Sequence, residues 1–294
     1  MNAEQALLNK VENPDFLSVS GSRLYGTARP DSDLDLRGFT LPPFEYLLGN
    51  YNFNEKSLEG DHKIFSAKRF IELALEGDPL ITELFFVDKL HCSVCTPIAE
   101  KIFALKDDII SNKVYSRILG YSCSEWRKAM GVKQVLDKRT RTEDTVVNDI
   151  REIFKPDKEK MDEIIKVLYA GREIKTVPSV AGIGGKRKAE VEKYGYCVSS
   201  ASHAIRLVDQ ISELMMTGNI VFPRHNADIL RDIKLGQFSR KIVEEIYEKA
   251  LSDAESNREK SILRDKPNRG KVWEAYLKIV SDYIKTDSRF LEFC

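Results

Sequence analysis

The segment GSRLYG at residues 21–26, followed by SDLDL at residues 32–36, is the most informative part of this sequence. The apolar residues of segment 16–20 predict a short buried strand that Gly21 ends, and segment 34–40 predicts a second strand. A Gly-Ser pair at the end of a strand lets backbone amides approach a phosphate, because glycine carries no Cβ. We therefore expect Gly21 and Ser22 to hold phosphates, with the Ser22 hydroxyl as a further donor.

Asp33 and Asp35 are spaced by two on the second predicted strand, so their side chains should point to the same face. Two carboxylates on one face repel each other unless a cation lies between them, and hard oxygen ligands suit Mg²⁺ or Mn²⁺. A pair of acids two residues apart also occurs in solvated turns, but here it follows a phosphate-binding turn within fifteen residues. The combination predicts metal-dependent phosphoryl or nucleotidyl transfer.

The rest of the chain predicts an α+β fold, a small mixed-sheet core followed by a mainly helical domain. Segment 62–65 can form a third strand, Ser66 can cap a helix over 67–76, and Asp78 with Pro79 can begin the next helix. We place the boundary near residue 95, with a core at 1–95 and a helical domain at 96–294 that closes a cleft over it. Helical periodicity runs through 97–111, 114–136, 158–170, 198–216, 239–256 and 272–285. Two polar, basic segments, 137–142 and 182–188, separate predicted helices.

Composition narrows the class of protein. Lysine plus arginine and aspartate plus glutamate both number 46, so the formal net charge is zero and nonspecific coating of nucleic acid is disfavoured. No apolar run predicts a membrane span or a signal peptide, and we expect a cytoplasmic protein. Cys92 and Cys95 form a single CxxC without a second pair, which is a weak signal for a metal site.

The segment GSRLYGTARPDSDLDLRG at residues 21–38 resembles the motif of nucleotidyltransferases of the DNA polymerase β superfamily. Its GSRxYG form, with Arg-Gly after the acids, resembles the YcgL-type members, also described as RNA-repair-associated polymerase-like proteins. The segments DHKIFSAKRFIELALEGDPLITELFF at 61–86 and YGYCVSSASHAIRLVDQISELMMTG at 194–218 are similar to later parts of the same family. The resemblance implies that 1–95 is a nucleotidyltransferase catalytic core.

The resemblance also implies a third carboxylate on a neighbouring strand. Asp61 stands at that place and would complete a metal site with Asp33 and Asp35, helping to deprotonate the attacking hydroxyl. Glu55 and Glu59 are rivals for this role.

Candidate triphosphate-binding cations lie in both parts of the sequence. Arg23 and Arg37 flank the acidic motif; Lys63, Lys68 and Arg69 are weaker candidates. In the helical part, His203 and Arg206 share a helix face and match the family-like HxxRL pattern. Arg206 is the favoured phosphate contact and His203 an orienting or base-facing partner; Lys186, Arg187 and Lys188 add charge before that helix.

One departure from the family pattern concerns Ser199 and Ser200. The family commonly has a lysine and often a histidine shortly before this histidine, so the serines predict weakened activity. The leading function is transfer of a nucleoside monophosphate from a nucleoside triphosphate such as ATP to an RNA or DNA 3′ hydroxyl. The alternatives are AMP transfer to a protein side chain and a nucleotide-binding module with little catalysis.

Overall fold

The computed structural model describes residues 3–30, 32–49, 51–136, 174–178 and 185–286. The chain divides into two compact units, one formed by residues 1–126 and 198–294 and one by residues 127–197. The first unit contains a five-stranded mixed sheet, with β1 at Phe16–Ser20, β2 at Asp35–Thr40, β3 at Glu55–Leu58, β4 at His62–Ser66 and β5 at Cys92–Cys95. The predicted α+β class is confirmed.

The sheet has the strand order β3-β4-β2-β1-β5. Strand β1 is antiparallel to β2, with Ser20 opposite Asp35. Strand β2 is parallel to β4, with Leu36 opposite His62. Because β1 ends where β2 and β4 begin, the turn after Ser20 and the residues just before β4 lie at one edge of the sheet.

The core beside this sheet is aromatic. Phe16 of β1 and Phe39 of β2 are fully buried and contact each other with ring centroids 5.5 Å apart. Phe70 lies 4.4 Å from Phe39 and Phe103 lies 4.7 Å from Phe16. Burying each such ring contributes about 1.5–3 kcal/mol, so this cluster fixes the central strands firmly.

Two helices of the first unit begin at the predicted caps, Ser66 and Asp78. The N-terminal part has α1 at Ala3–Glu12, α2 at Gly21–Tyr25, α3 at Phe44–Leu47, α4 at Ala67–Leu75, α5 at Pro79–Leu84, α6 at Pro97–Phe103, α7 at Lys106–Ile109 and α8 at Lys113–Met130. The Ser66 hydroxyl accepts a hydrogen bond from the Arg69 amide, and Asp78 accepts from the Leu80 and Ile81 amides. These side chains satisfy amides that the helix itself leaves unbonded.

The C-terminal helices belong to the same compact unit as the sheet. Helix α10 spans Val198–Thr217, α11 spans Ala227–Lys234, α12 spans Arg240–Glu259 and α13 spans Arg269–Thr286. Helix α10 is largely buried, and the Ser122 hydroxyl of α8 donates to the Ala204 carbonyl 2.9 Å away. The boundary predicted near residue 95 stays a prediction.

The second unit, residues 127–197, corrects one helix prediction. Helicity was predicted through residue 136, but α8 ends at Met130 and Val132–Leu136 forms β6, paired with β7 at Ile174–Pro178. Gly131 has a positive φ, which ends the helix, and the β-branched valines that follow suit a strand. Helix α9 then spans Gly185–Tyr194. The predicted helix at 158–170 and the basic segment at 137–142 lie outside the described residues.

Candidate active site

The turn after β1 brings Gly21 against Asp35. Gly21 has a φ of +65° and begins α2. A Cβ built on Gly21 would lie 1.8 Å from Asp35 Oδ2, so the carboxylate occupies the space that a side chain would need. Glycine is therefore required here both by the backbone angle and by the approach of the acid.

Asp35 is the first residue of β2 and is half-buried. Burial raises the pKa of its carboxyl, and the negative charge of Asp61 raises that pKa further. Arg37 opposes this effect, and Asp33 adds a weaker repulsion. Negative charge thus accumulates around Asp35. Asp33 itself lies exposed two residues before β2, outside the strand on which it was predicted.

Asp61 precedes β4 and therefore lies beside the start of β2. Its carboxyl oxygen Oδ2 is 3.0 Å from Arg37 Nη2, and Arg37 also donates to the Asp61 carbonyl. The Asp61 side chain is 72% exposed, whereas that of Arg37 is 11% exposed. Because most of the Asp61 side chain is exposed, solvent and ligands have access to its carboxylate.

Glu55 and the weaker cations form ion pairs with one another or with Glu72. Glu55 lies on β3 with its carboxylate 2.7 Å from Lys63, and Glu59 is exposed in the turn after β3. Lys68 and Arg69 on α4 both face Glu72. None of these ion pairs includes Asp35 or Asp61.

The carboxylates suit a divalent cation. Asp35 and Asp61 lie within hydrogen-bonding reach of each other, and their mutual repulsion would be relieved by a positive ion between them. Across the described ranges, no three His, Cys, Asp or Glu side chains are close enough to hold a metal by themselves. Mg²⁺ in phosphate-transferring sites is held by one or two carboxylates together with substrate phosphates. The Asp35–Asp61 pair fits that pattern.

Arg23 forms hydrogen bonds with the loop that precedes Asp35. Its guanidinium donates to the carbonyls of Ser32, at 2.8 Å, and Asp33, at 3.3 Å. The carbonyl of Ser22 accepts from the Thr27 amide at 2.9 Å, which closes the turn on itself. These bonds connect the Gly-Ser turn to the acidic segment.

Two cations that the sequence argument did not single out lie next to this turn. Lys234, the last residue of α11, donates from Nζ to Thr27 Oγ1 at 3.1 Å. Arg29 donates from Nη2 to the Lys234 carbonyl at 2.8 Å. Burial, followed by the charges of Arg206 and Arg29, lowers the pKa of Lys234 to about 8, while Asp35 opposes this shift.

Arg206 is in a buried polar network. It is 4% exposed, and its guanidinium lies 3.4 Å from the fully buried Glu83 carboxylate and 3.9 Å from the Tyr25 ring centroid. The Tyr25 hydroxyl donates to Glu83 at 2.7 Å, and Gln210 accepts from Arg206. Burial raises the pKa of the Glu83 carboxyl, and Arg206 counteracts that effect on the pKa. The guanidinium is thus already matched with a buried anion.

The remaining residues predicted on the helical part differ in their exposure. His203 is exposed on α10, although it is only three residues before the buried Arg206. Ser200 is 3% exposed, and Ser199 is half-buried. Arg187 and Lys188 are exposed in the second unit, where Lys188 lies 3.9 Å from Glu192; the Lys186 side chain lies outside the described residues. Their proposed roles toward a nucleotide stay predictions.

Comparisons with known proteins agree with this geometry. A model of the RNA repair pathway DNA polymerase beta family (RlaP) matches residues 13–263. The chain is 25% identical, over 295 aligned positions, to an uncharacterized 38.9 kDa protein in the nrdC-mobD intergenic region of Enterobacteria phage T4. That alignment covers 81% of this chain and 88% of the phage protein. No solved structure matches the chain significantly. Within the described ranges, no helix is long and apolar enough to cross a membrane. The match of the family model over most of the chain shows that it belongs to the RNA repair pathway DNA polymerase beta family.

Proposed function

We propose that this chain is a metal-dependent nucleotidyltransferase that moves a nucleoside monophosphate from a nucleoside triphosphate to the 3′ hydroxyl of an RNA. The observation that carries the proposal is the packing of the Asp35 carboxylate over Gly21, beside Asp61. The Gly-Ser turn, which we propose binds phosphate, therefore lies beside two carboxylates. The family, named for an RNA repair pathway, supports a nucleotide substrate and a nucleic-acid acceptor.

In the proposed reaction, Gly21 and Ser22 hold phosphate oxygens of the triphosphate, with Arg23 keeping their turn joined to the acidic segment. Asp35 and Asp61 would hold Mg²⁺ or Mn²⁺, which supplies charge neutralisation at the phosphates. Asp33, on the exposed segment before β2, is the proposed additional ligand.

The acceptor hydroxyl then attacks the α-phosphorus, and the bond from that phosphorus to the bridging oxygen breaks. Pyrophosphate leaves with the electron pair. We assign Asp61 to receive the hydroxyl proton, because its carboxylate is exposed and lies beside Asp35. Arg37 stays within 3.0 Å of Asp61 and holds that carboxylate in place.

The test incubates the purified chain with each labelled nucleoside triphosphate, Mg²⁺ or Mn²⁺, and separate pools of RNA, DNA and protein. We expect label on RNA, with none for the Asp35→Asn variant. Label only on protein would refute the RNA acceptor and support AMP transfer to a side chain. An absence of transfer in every pool, with nucleotide still bound, would refute catalysis and favour a nucleotide-binding module.

A further inference from the structure

Lys234 forms hydrogen bonds with the loop between the GSRLYG segment and the acidic SDLDL segment. It is the last residue of α11, and it contacts Thr27 through its ammonium group and Arg29 through its backbone carbonyl. Thr27 in turn bonds to the Ser22 carbonyl through its amide at 2.9 Å and its hydroxyl at 3.5 Å. One residue therefore separates the Lys234 ammonium from the Gly-Ser turn.

The charges of Lys234 and Arg29 are only partly compensated, since Asp35 acts on Lys234 more weakly than the charges of Arg206 and Arg29 do. In the part of the chain that the structure describes, neither Lys234 nor Arg29 makes an ion pair. Both side chains are nevertheless half-buried and close enough to repel each other. Holding two such charges together costs free energy of folding, because each loses water without forming an ion pair.

The neighbouring Arg206 provides a contrast within the same unit. Its guanidinium faces Glu83 and stacks on Tyr25, so its charge is matched inside the protein. Lys234 and Arg29 receive no comparable compensation. An anion that arrives with the substrate would supply it.

We propose that Lys234 and Arg29 bind the β- and γ-phosphates of the nucleoside triphosphate and hold the pyrophosphate as it leaves. This inference rests on the proposed function and deepens it by naming the residues that recognise the polyphosphate. Fixed cations near the leaving group stabilise the charge that develops on it during transfer. The polyphosphate would also neutralise two charges that form no ion pair among the described residues.

The test is calorimetric titration of the full chain with inorganic tripolyphosphate, followed by rate measurements with a nucleoside triphosphate. Lys234→Met keeps the length of the side chain and removes its charge. We expect tripolyphosphate affinity to fall on the order of tenfold or more, as for loss of a charged hydrogen bond. Lys234→Arg should retain most of the affinity. The matched control is Lys278→Met, an exposed lysine on α13, which should bind as the wild type does.

A thermal melt separates binding from folding. Lys234→Met should melt at the same temperature as the wild type or higher, because it removes a half-buried charge that is only partly compensated. Equal tripolyphosphate affinity in wild type and Lys234→Met would overturn the inference. The inference would also be overturned if Lys234→Met lost affinity because it unfolds and Lys234→Arg, while well folded, lost affinity as well. If the wild type binds tripolyphosphate through Lys234 but transfers no nucleotide, the proposed function fails while this inference stands. If transfer proceeds equally in wild type and Lys234→Met, only the inference fails.

Discussion

The contact between Gly21 and Asp35 makes Gly21→Ala a sensitive perturbation of the site. Gly21 lies at a φ of +65°, and an added methyl would meet Asp35 Oδ2 at 1.8 Å. Real Cβ atoms essentially never come within 3.0 Å of another heavy atom, so the carboxylate must retreat by roughly an ångström. It is the end of a flexible side chain, so we expect it to move and β2 to stay in place.

Two separate costs follow. A non-glycine residue in the left-handed region costs about 1–2 kcal/mol, and an off-rotamer Asp35 adds about 0.5–1.5 kcal/mol. Together these predict a loss of roughly 2–3 kcal/mol in the free energy of unfolding. A displacement of about 1 Å in a catalytic group lowers rate on the order of a hundredfold. Activity should therefore fall far more than the folded fraction does.

Gly49→Ala is the matched control. Gly49 also has a positive φ, of +88°, but an added Cβ there meets nothing within 4 Å. It should lose only the backbone cost of about 1–2 kcal/mol and keep full activity. Unfolding is measured by denaturant titration and turnover by nucleotide transfer under conditions where both variants are folded. Equal turnover in Gly21→Ala and Gly49→Ala would refute the argument that Gly21 exists to admit Asp35.

Three further predictions follow from the charges around this site. Asp35→Asn should raise the melting temperature near neutral pH, because the raised pKa of Asp35 shows that its ionised form is disfavoured in the folded chain. The same variant should reduce transfer by a hundredfold or more. A melting temperature below that of the wild type would contradict the first expectation. Arg206→Met should lower the free energy of unfolding by about 3–5 kcal/mol in denaturant titration, because Glu83 stays buried without its cation. A loss below about 1 kcal/mol would instead show that Arg206 is available to bind substrate. The pKa of Lys234 is about 8 in the folded chain against 10.5 in the unfolded chain, so the unfolded chain binds more protons between these pH values. The free energy of unfolding of the wild type should therefore rise with pH across that range, relative to that of Lys234→Met. Parallel curves of unfolding free energy against pH for the two proteins would contradict the depressed pKa.

The parts of the fold with local signals were predictable from the sequence. Segment 16–20 forms β1 because its apolar residues are bounded by a glycine, and Ser66 and Asp78 cap their helices as their positions indicate. Strands β3 and β5 were missed, because each is a short edge strand of only four residues whose pairing depends on a partner elsewhere in the sheet.

The cations of the candidate site show why the rest could not be predicted. Lys234 ends an amphipathic helix, where a lysine ordinarily faces solvent, and its bond partner Thr27 lies 207 residues away. The HxxRL pattern placed His203 and Arg206 on one face, yet the structure leaves His203 exposed and encloses Arg206 with Glu83. Helical spacing gives the relative direction of two side chains but not what packs against each of them.

The most direct test of nucleotidyl transfer follows two labels in one nucleoside triphosphate, one on the α-phosphate and one on the γ-phosphate. With Mg²⁺ or Mn²⁺ and an RNA acceptor, we expect the α-label on the RNA and the γ-label released as pyrophosphate in equal amount. Asp35→Asn should abolish both the labelling of RNA and the release of pyrophosphate. Transfer of the γ-label to the acceptor, or transfer of the α-label that persists in folded Asp35→Asn, would contradict it.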